Sequence, residues 1–297
     1  MPKAKLLAAI LALVSAAAAA HAPSQPKSYD NPAWMEPIAP FRIAERLYYV
    51  GSRDLSAFLI DTGEGLILLD TGVPEFAPHL LANIRTLGFD PRQVRLLLTS
   101  QAHLDHAGGH AAVKAATGAR VLASRADAEL LQRGGKGDFA WGDDLAYPAV
   151  RVDGFLRDGQ RVKLGAVTLT AHLTPGHTKG CTTWTMPLSI GGRTRIAQFN
   201  CSVSIPGYKL LGTPAYPNMA EDYARTFDRL RTLPCEVFLG AHGSFFNLDE
   251  KRAALARGAK ENPFVDAKGC RRYLDTMETR FREQLAQERA AAAVVLE

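Results

Sequence analysis

The sequence predicts an α+β fold in which sheets lie inside and helices lie outside, arranged as two packed halves of one domain. Short strand-like runs alternate with amphipathic helices in two successive blocks. The 297 residues, of which 47% are hydrophobic and 22% charged, supply enough apolar surface for a large core. This composition excludes an intrinsically disordered chain.

The first block contains five predicted strands and three predicted helices. The strands are expected at residues 47–50, 58–60, 66–69, 94–98 and 120–122. The first helix follows Pro74, because apolar residues from Phe76 to Leu87 recur at helical spacing until Gly88 ends the pattern. The other helices are expected at about 107–116 and around 125–132.

A segment rich in glycine and aspartate, residues 134–148, interrupts the alternation. It carries Phe139, Trp141 and Tyr147, which predicts a long loop with aromatic contacts that either caps the core or lines a substrate site. The second block contains predicted strands at residues 162–164, 167–173, 182–186, 194–199 and 237–239. Its helices are expected at about 220–233, near 249–259 and near 271–288.

The N-terminus predicts a secretory signal peptide over residues 1–20, followed by a single domain over residues 21–297. Lys3 and Lys5 precede an apolar stretch at residues 6–20, which ends in small residues that suit cleavage. A transmembrane anchor is the competing interpretation, but the stretch is shorter than the ~20 residues that a bilayer requires. We therefore expect export to the periplasm and no membrane association after cleavage.

The charge balance indicates no nucleic-acid partner. The formal charge is +5, and it falls to +3 without Lys3 and Lys5, because 33 of the 35 basic residues then face 30 acidic ones. We expect a monomer that acts on a small molecule.

The four cysteines predict disulfides, since an exported chain meets an oxidising compartment and the Cys-x-x-Cys spacing of structural zinc sites is absent. Three pairings are open. A Cys235–Cys270 bond would tie the last strand to the C-terminal helix and leave Cys181 with Cys201, and this pairing is favoured. The alternative is four buried free thiols.

Metal binding is predicted by the segment Gln101-Ala102-His103-Leu104-Asp105-His106, which follows the strand at 94–98. Unpaired polar groups crowded at a strand end carry a desolvation cost that a bound cation removes. In an extended chain Gln101, His103 and Asp105 would lie on one side, whereas His106 would point elsewhere. Such a division of ligands can serve two neighbouring metal ions.

Two further histidines follow apolar strands and stand beside glycines that let the chain turn inward. They are His177, in Thr-Pro-Gly-His-Thr, and His242, in Gly-Ala-His-Gly. A lone histidine is more often a surface or core residue, but these loop contexts favour ligands. The remaining histidines are expected not to bind metal: His21, His79, His110 and His172.

Together these motifs resemble the metallo-β-lactamase-fold hydrolases, and more narrowly the subclass B3 metallo-β-lactamases, over most of the mature chain. The B3-like pieces are Asn31-Pro32-Ala33-Trp34, residues 176–180 (Gly-His-Thr-Lys-Gly), residues 202–208 (Ser-Val-Ser-Ile-Pro-Gly-Tyr) and Glu221-Asp222-Tyr223. The resemblance implies an αββα sandwich with two sheets packed face to face. It also implies Zn²⁺, two ions per chain, and a β-lactam substrate.

The resemblance assigns Gln101, His103 and His177 to a first zinc ion, and Asp105, His106 and His242 to a second. Gln101 departs from the family pattern, which has histidine there. A neutral amide oxygen is a weaker zinc ligand than imidazole, so the first site should be the weaker one. The resemblance then implies an enzyme that works with the second ion alone when zinc is scarce.

The implied reaction is hydrolysis of the cyclic amide by hydroxide on zinc, with Asp105 orienting the nucleophile. Ser202 and Ser204, two residues apart, resemble the family's binding groups for the substrate carboxylate, and Tyr208 would place a hydroxyl near the lactam carbonyl. The competing interpretation of these three residues is an ordinary Ser/Pro/Gly turn.

Two rival functions are weighed. Lactonase-like and thioester-cleaving relatives usually place a bridging aspartate at the strand end that here reads Gln198-Phe199-Asn200-Cys201-Ser202, without a carboxylate. That difference favours a lactamase over a hydrolase of another cyclic ester or amide. A non-enzymatic periplasmic zinc-binding protein is disfavoured, because three protein ligands per ion leave room for water.

Overall fold

Two β-sheets form the centre of the computed structural model, which describes residues 31–294. The predicted signal peptide lies outside these residues. The first sheet has strand order β1-β2-β3-β4-β5-β6-β7. Its strands are Phe41–Ala44, Leu47–Tyr49, Phe58–Asp61, Leu66–Leu69, Val94–Leu98, Arg120–Ser124 and Gly154–Leu156. The second sheet has order β12-β11-β10-β9-β8. Strands β8 to β12 are Arg161–Leu164, Val167–Leu173, Thr182–Ile190, Arg193–Asn200 and Val237–Gly240.

The helices cover the outer faces of the sheets. Helices α1 to α7 are Ala77–Thr86, Leu104–Ala107, His110–Thr117, Arg125–Gln132, Met219–Thr232, Leu248–Ala256 and Ala267–Val294. Leu80, Val113 and Leu131 of α1, α3 and α4 pack in one buried cluster on the first sheet. On the second sheet, Phe227 of α5 and Phe281 of α7 lie 5.6 Å apart. No helix in the described part of the chain combines the length and apolar character of a membrane span.

The main core lies between the two sheets. Phe58 of β3 and Phe199 of β11 meet with ring centroids 5.0 Å apart, and Trp184 of β10 is fully buried in the same cluster. Aromatic side chains of this size bury about 150–250 Å² each, so this layer is a large part of the hydrophobic stabilisation. The αββα sandwich predicted from the sequence is confirmed.

The strands and helices with strong periodicity lie where they were predicted. Residues 66–69, 94–98 and 167–173 are strands and residues 125–132 are a helix, with the predicted limits. The prediction missed β1 and β7, which are the two edges of the first sheet. Each of these edge strands has one neighbour and buries one residue, Ile43 or Leu156, so its apolar pattern is weak.

Strand β10 is longer than predicted and runs to Ile190. Pro187 falls inside it, a position that normally indicates an edge strand or no strand. The strand pairing explains the exception, because β9 pairs with β10 only as far as Thr185. Beyond Thr185, β10 pairs with β11 only. The missing N–H of Pro187 therefore removes no hydrogen bond to a strand on the other side.

Both disulfides have the pairing favoured from the sequence. Cys181 is bonded to Cys201, joining the residue before β10 to the residue after β11. Cys235 is bonded to Cys270, which ties the segment before β12 to α7. The first bond therefore lies at the same end of the second sheet as the loops that follow β9, β11 and β12.

Candidate metal centre

The loop after β5 does not remain extended, which corrects one prediction. His103 has extended backbone angles and begins the helical turn α2, in which the Ala107 N–H donates to the His103 carbonyl at 2.8 Å. Asp105 and His106 therefore share a helical turn, and their side chains meet instead of diverging. Asp105 Oδ2 lies 3.1 Å from His106 Nε2. Tight i to i+4 hydrogen bonding thus overrode the alternation expected of a strand end.

Asp105, His106 and His242 form one cluster, with their ligand atoms within 4.8 Å of one another. His242 comes from the loop after β12, and its Nε2 lies 3.4 Å from Asp105 Oδ2. Ligands at the 2.0–2.1 Å bond lengths of tetrahedral zinc stand about 3.3 Å apart, so the spacing suits that ion. Neither ring nitrogen of the buried His106 makes a well-formed hydrogen bond to any of residues 31–294. A cation would satisfy it.

A second carboxylate orients His242 from behind. Asp54 Oδ2 lies 3.0 Å from Nδ1 of His242, and Asp54 Oδ1 accepts from the Ser244 N–H at 3.0 Å. Nδ1–H is thereby directed to Asp54, which leaves Nε2 turned toward Asp105. Burial alone would lower the pKa of His242, but the carboxylates of Asp105 and Asp54 outweigh it and raise that pKa to about 9. The pocket therefore favours positive charge.

His103 and His177 form a second imidazole pair, with ring centroids 5.0 Å apart. Nδ1 of His177 lies 2.9 Å from the Ser204 carbonyl oxygen, to which Nδ1–H donates, so Nε2 is available as a ligand. Nε2 of His103 lies 3.4 Å from Asp138 Oδ2. Burial, assisted by the neighbouring His103, lowers the pKa of His177 to about 3 and keeps this ring neutral, the form that binds metal.

Gln101 lies two residues before His103 in the same loop and is fully buried. Neither atom of its terminal amide has a hydrogen-bond partner in the described part of the chain. An unsatisfied buried amide costs roughly 1–3 kcal/mol per group. The site therefore suits a cation that would accept the amide oxygen as a ligand.

The histidines expected not to bind metal lie elsewhere or have other partners. Both ring nitrogens of the buried His110 contact threonine hydroxyls, Thr71 at 2.8 Å and Thr99 at 2.9 Å. His172 contacts Thr185 Oγ1 at 2.9 Å through Nε2. His79 is exposed on α1, and His21 lies outside the described residues.

Comparison with known proteins agrees with this geometry. Residues 51–189 match the family model described as the metallo-beta-lactamase superfamily. A solved metallo-β-lactamase of Cronobacter sakazakii with a HARLDQ motif is 45% identical, with 87% of this chain and 98% of that chain covered and a TM-score of 0.82. This chain belongs to the metallo-β-lactamase superfamily. BJP-1, a subclass B3 metallo-β-lactamase of Bradyrhizobium japonicum, is 38% identical, with 88% and 98% covered and a TM-score of 0.83.

The likeness to BJP-1 confirms the B3 resemblance inferred from the motifs. Among curated proteins, a probable metallo-hydrolase of Burkholderia pseudomallei is 30% identical over an alignment of 141 residues, and the match covers 44% of this chain and 47% of that protein. The chain thus matches about half the length, or less, of the curated relatives.

The predicted substrate-binding residues of this superfamily member lie beside the first imidazole pair. Ser202 Oγ and Ser204 Oγ are 3.0 Å apart, and Ser204 Oγ is 3.4 Å from His177 Nδ1. The Tyr208 hydroxyl donates to the His177 carbonyl at 3.2 Å, and its ring is buried. This hydrogen bond ties Tyr208 to the loop that carries His177.

The loop at residues 134–148 caps the core, as one of the two interpretations predicted, and it also packs near the first imidazole pair. The Tyr147 hydroxyl donates to the Ala102 carbonyl and its ring is buried, which caps the core beneath the metal loop. Phe139 packs 5.1 Å from Tyr208, next to His177, and Trp141 lies 6.0 Å from the same ring. The aromatic side of the loop therefore forms a wall beside the first imidazole pair.

Four buried carboxylates near the ligands were not predicted: Asp54, Asp70, Asp127 and Asp138. Asp54 is 188 residues away from its partner His242. An isolated aspartate in a turn or a helical first turn is common in any sequence, so no local pattern distinguished these residues.

Proposed function

We propose that this protein is a zinc-dependent β-lactamase that hydrolyses the lactam ring of penicillins, cephalosporins or carbapenems. The observation that carries the proposal is the convergence of Asp105, His106 and His242 within 4.8 Å, in a chain 38–45% identical to solved metallo-β-lactamases over almost their whole length. A lactonase-like activity toward another cyclic ester has weaker support, since those structures are named as lactamases.

The residues present divide the work of such a reaction. When bound, zinc would act as a Lewis acid and would lower the pKa of water to about 7. His106 is fully buried and supplies a fixed ligand, whereas the Asp105 side chain is partly exposed. The Asp105 carboxylate can accept a hydrogen bond from the attacking water and so align it with the lactam carbonyl. Ser202 and Ser204 can donate to the substrate carboxylate.

Unequal zinc sites are part of the proposal. Asp105, His106 and His242 would bind the second ion firmly, because Asp54 orients His242 from behind. Gln101, His103 and His177 would bind the first ion more weakly, because one ligand is a neutral amide oxygen. We propose two ions at high zinc and the second ion alone at low zinc.

The test is hydrolysis of a chromogenic cephalosporin and a carbapenem by the purified mature protein in zinc-supplemented buffer. We expect turnover of both, loss of turnover after chelation, and recovery after zinc is restored. The matched variant Asp105→Asn should lose nearly all turnover while keeping the circular dichroism spectrum. A protein that binds zinc but hydrolyses only a lactone in a parallel assay would contradict the proposal.

We also propose a periplasmic location and a monomer. Expression of the full chain in a Gram-negative host should release a protein whose N-terminus begins near His21 or Pro23 into the periplasmic fraction. Light scattering should give the mass of one chain. Retention in the cytoplasm with residue 1 intact would exclude export.

A further inference from the structure

We infer that Asp127 is a positioning residue that holds the two segments carrying Gln101, His103 and His177 at the separation needed for the first metal ion. The inference deepens the proposed function and rests on its assignment of these three residues to one site. Asp127 does not touch the ion in this scheme. It acts through the backbone of both ligand segments.

The carboxylate of Asp127 bridges the two segments directly. Its Oδ2 accepts from the Ala102 N–H at 3.0 Å and from the Thr178 hydroxyl at 3.0 Å, and its Oδ1 accepts from the Gly180 N–H at 2.9 Å. Ala102 lies between Gln101 and His103, while Thr178 immediately follows His177. One side chain therefore links the backbones of both ligand segments.

The N-terminus of α4 makes this bridge rigid. Ser124 caps the helix by accepting from the Asp127 N–H at 3.3 Å, and its hydroxyl donates to the Gly180 carbonyl at 2.7 Å. Gly180 packs so closely here that an added Cβ would fall well inside van der Waals contact with Ser124 Oγ and the Asp127 amide. The loop that carries His177 is thus closely packed against the N-terminus of α4.

Asp127 is only 3% exposed, and its hydrogen-bond partners are three neutral donors. Burying a carboxylate without an ion pair is costly, and an apolar residue would fill the same space at lower cost. Gln101 is a weak ligand, and its amide has no hydrogen-bond partner among the described residues. The affinity of the first site for zinc therefore depends strongly on how the backbone positions this side chain. The cost of the buried carboxylate is consistent with this organising role.

The experiment compares Asp127→Asn with wild type in stepwise zinc titrations against a chelating indicator. An amide of the same size cannot accept from all three donors, since its NH₂ group faces donors. We expect first-site affinity to fall about tenfold, the lower end of the range for residues that support metal ligands, with second-site affinity unchanged. Cobalt substitution should show the same selective loss in the absorption band of the first site.

The control is Asp153→Asn. Asp153 is also a shielded carboxylate on the first sheet, and it accepts from the Val121 N–H at 2.9 Å, but it touches neither ligand segment. We expect this variant to lower the unfolding temperature without changing either zinc affinity. Equal effects of the two variants on the first site would overturn the inference, because general destabilisation would then explain both.

A second variant, Thr178→Val, removes one of the three donors and keeps the side-chain shape, so it tests the inference if Asp127→Asn does not fold. It should weaken the first site by a smaller factor and leave the second intact. Unchanged first-site affinity in Thr178→Val, or equal weakening of both sites, counts against the positioning role. Zinc titration is independent of turnover, so a protein that fails to hydrolyse β-lactams would refute the proposed function and leave this result standing.

Discussion

At the scale of single residues, the imidazoles of the centre depend on the groups behind them. Asp54 hydrogen-bonds Nδ1 of His242, and the Ser204 carbonyl accepts from Nδ1 of His177, so in each ring the opposite nitrogen, Nε2, is left as the candidate metal ligand. No group in residues 31–294 hydrogen-bonds the side-chain amide of Gln101. The two predicted sites therefore differ in the chemistry of their ligands and in how firmly those ligands are oriented.

The variant Gln101→His should raise the affinity of the first site for zinc. Imidazole nitrogen binds zinc more strongly than an amide oxygen, and the buried position already lies two residues from His103. Stepwise metal titration measures the change. Equal first-site affinity in variant and wild type would show that residue 101 is not a ligand.

The variant Asp54→Asn should weaken the second site by about 10–100-fold, the usual effect of removing a carboxylate that supports a ligating histidine. Burial opposes ionisation of Asp54, but His242 outweighs it and lowers the pKa of this carboxyl to about 2, so the group is charged at neutral pH. Zinc competition titration provides the measurement. First-site affinity serves as the internal reference and should not change.

At the scale of helices and strands, single carboxylates join elements that are distant in sequence. Asp153, just before β7, accepts from Lys114 of α3 and from the N–H of Val121 in β6. It thereby fastens a three-residue edge strand to a helix and to its neighbour. The edge strand itself buries little, so we expect these polar contacts to be a substantial part of its stability.

Acid should remove this contribution. Burial opposes ionisation of Asp153, but hydrogen bonds from Lys114, Val121 and Arg151 outweigh it and lower its pKa to about 2, below the usual 3.8. The stabilisation is therefore complete above pH 4 and is lost as the pH falls toward 2. We expect Asp153→Asn to remove about 1 kcal/mol, after allowance for solvent screening of the ion pair. Urea unfolding of the metal-free protein from pH 5 to 2.5 should show a shallower pH dependence in the variant.

At the scale of the whole molecule, the disulfides fasten different parts of the sandwich. Cys181–Cys201 links the two strands whose ends lead into the His177 and Ser202 loops, whereas Cys235–Cys270 links the segment before β12 to α7. The first bond should therefore affect the metal centre as well as stability. The second should affect stability alone.

Replacing both Cys235 and Cys270 with alanine should destabilise the protein by about 3–4 kcal/mol, the chain-entropy value for a loop of 35 residues. Chemical unfolding at saturating zinc measures the loss, and zinc affinity should not change. The companion variant, with Cys181 and Cys201 replaced, should lose zinc affinity in addition. A loss of zinc affinity confined to the Cys235/Cys270 variant would reverse this assignment.

The sequence by itself determined the layered fold and the chain positions of the principal strands, and it supplied the candidate residues of the metal centre. A helix or strand that buries one face repeats apolar residues at a fixed spacing, which the sequence shows directly. His103, Asp105 and His106 are recognisable because they stand in one short segment. The αββα arrangement, strands such as 94–98 and the cysteine pairing all agree with the predictions.

Only the tertiary structure decided which distant side chains meet. The pairing of Asp54 with His242, the bridge from Asp127 to both ligand segments, and the helical turn that brings Asp105 against His106 depend on strand order and loop packing. Edge strands β1 and β7 were missed because each is short and buries a single residue, which leaves too few apolar positions to show a period. Contacts between distant segments produce no repeating pattern of residues in the sequence. They depend on which strand ends lie next to one another in the folded protein.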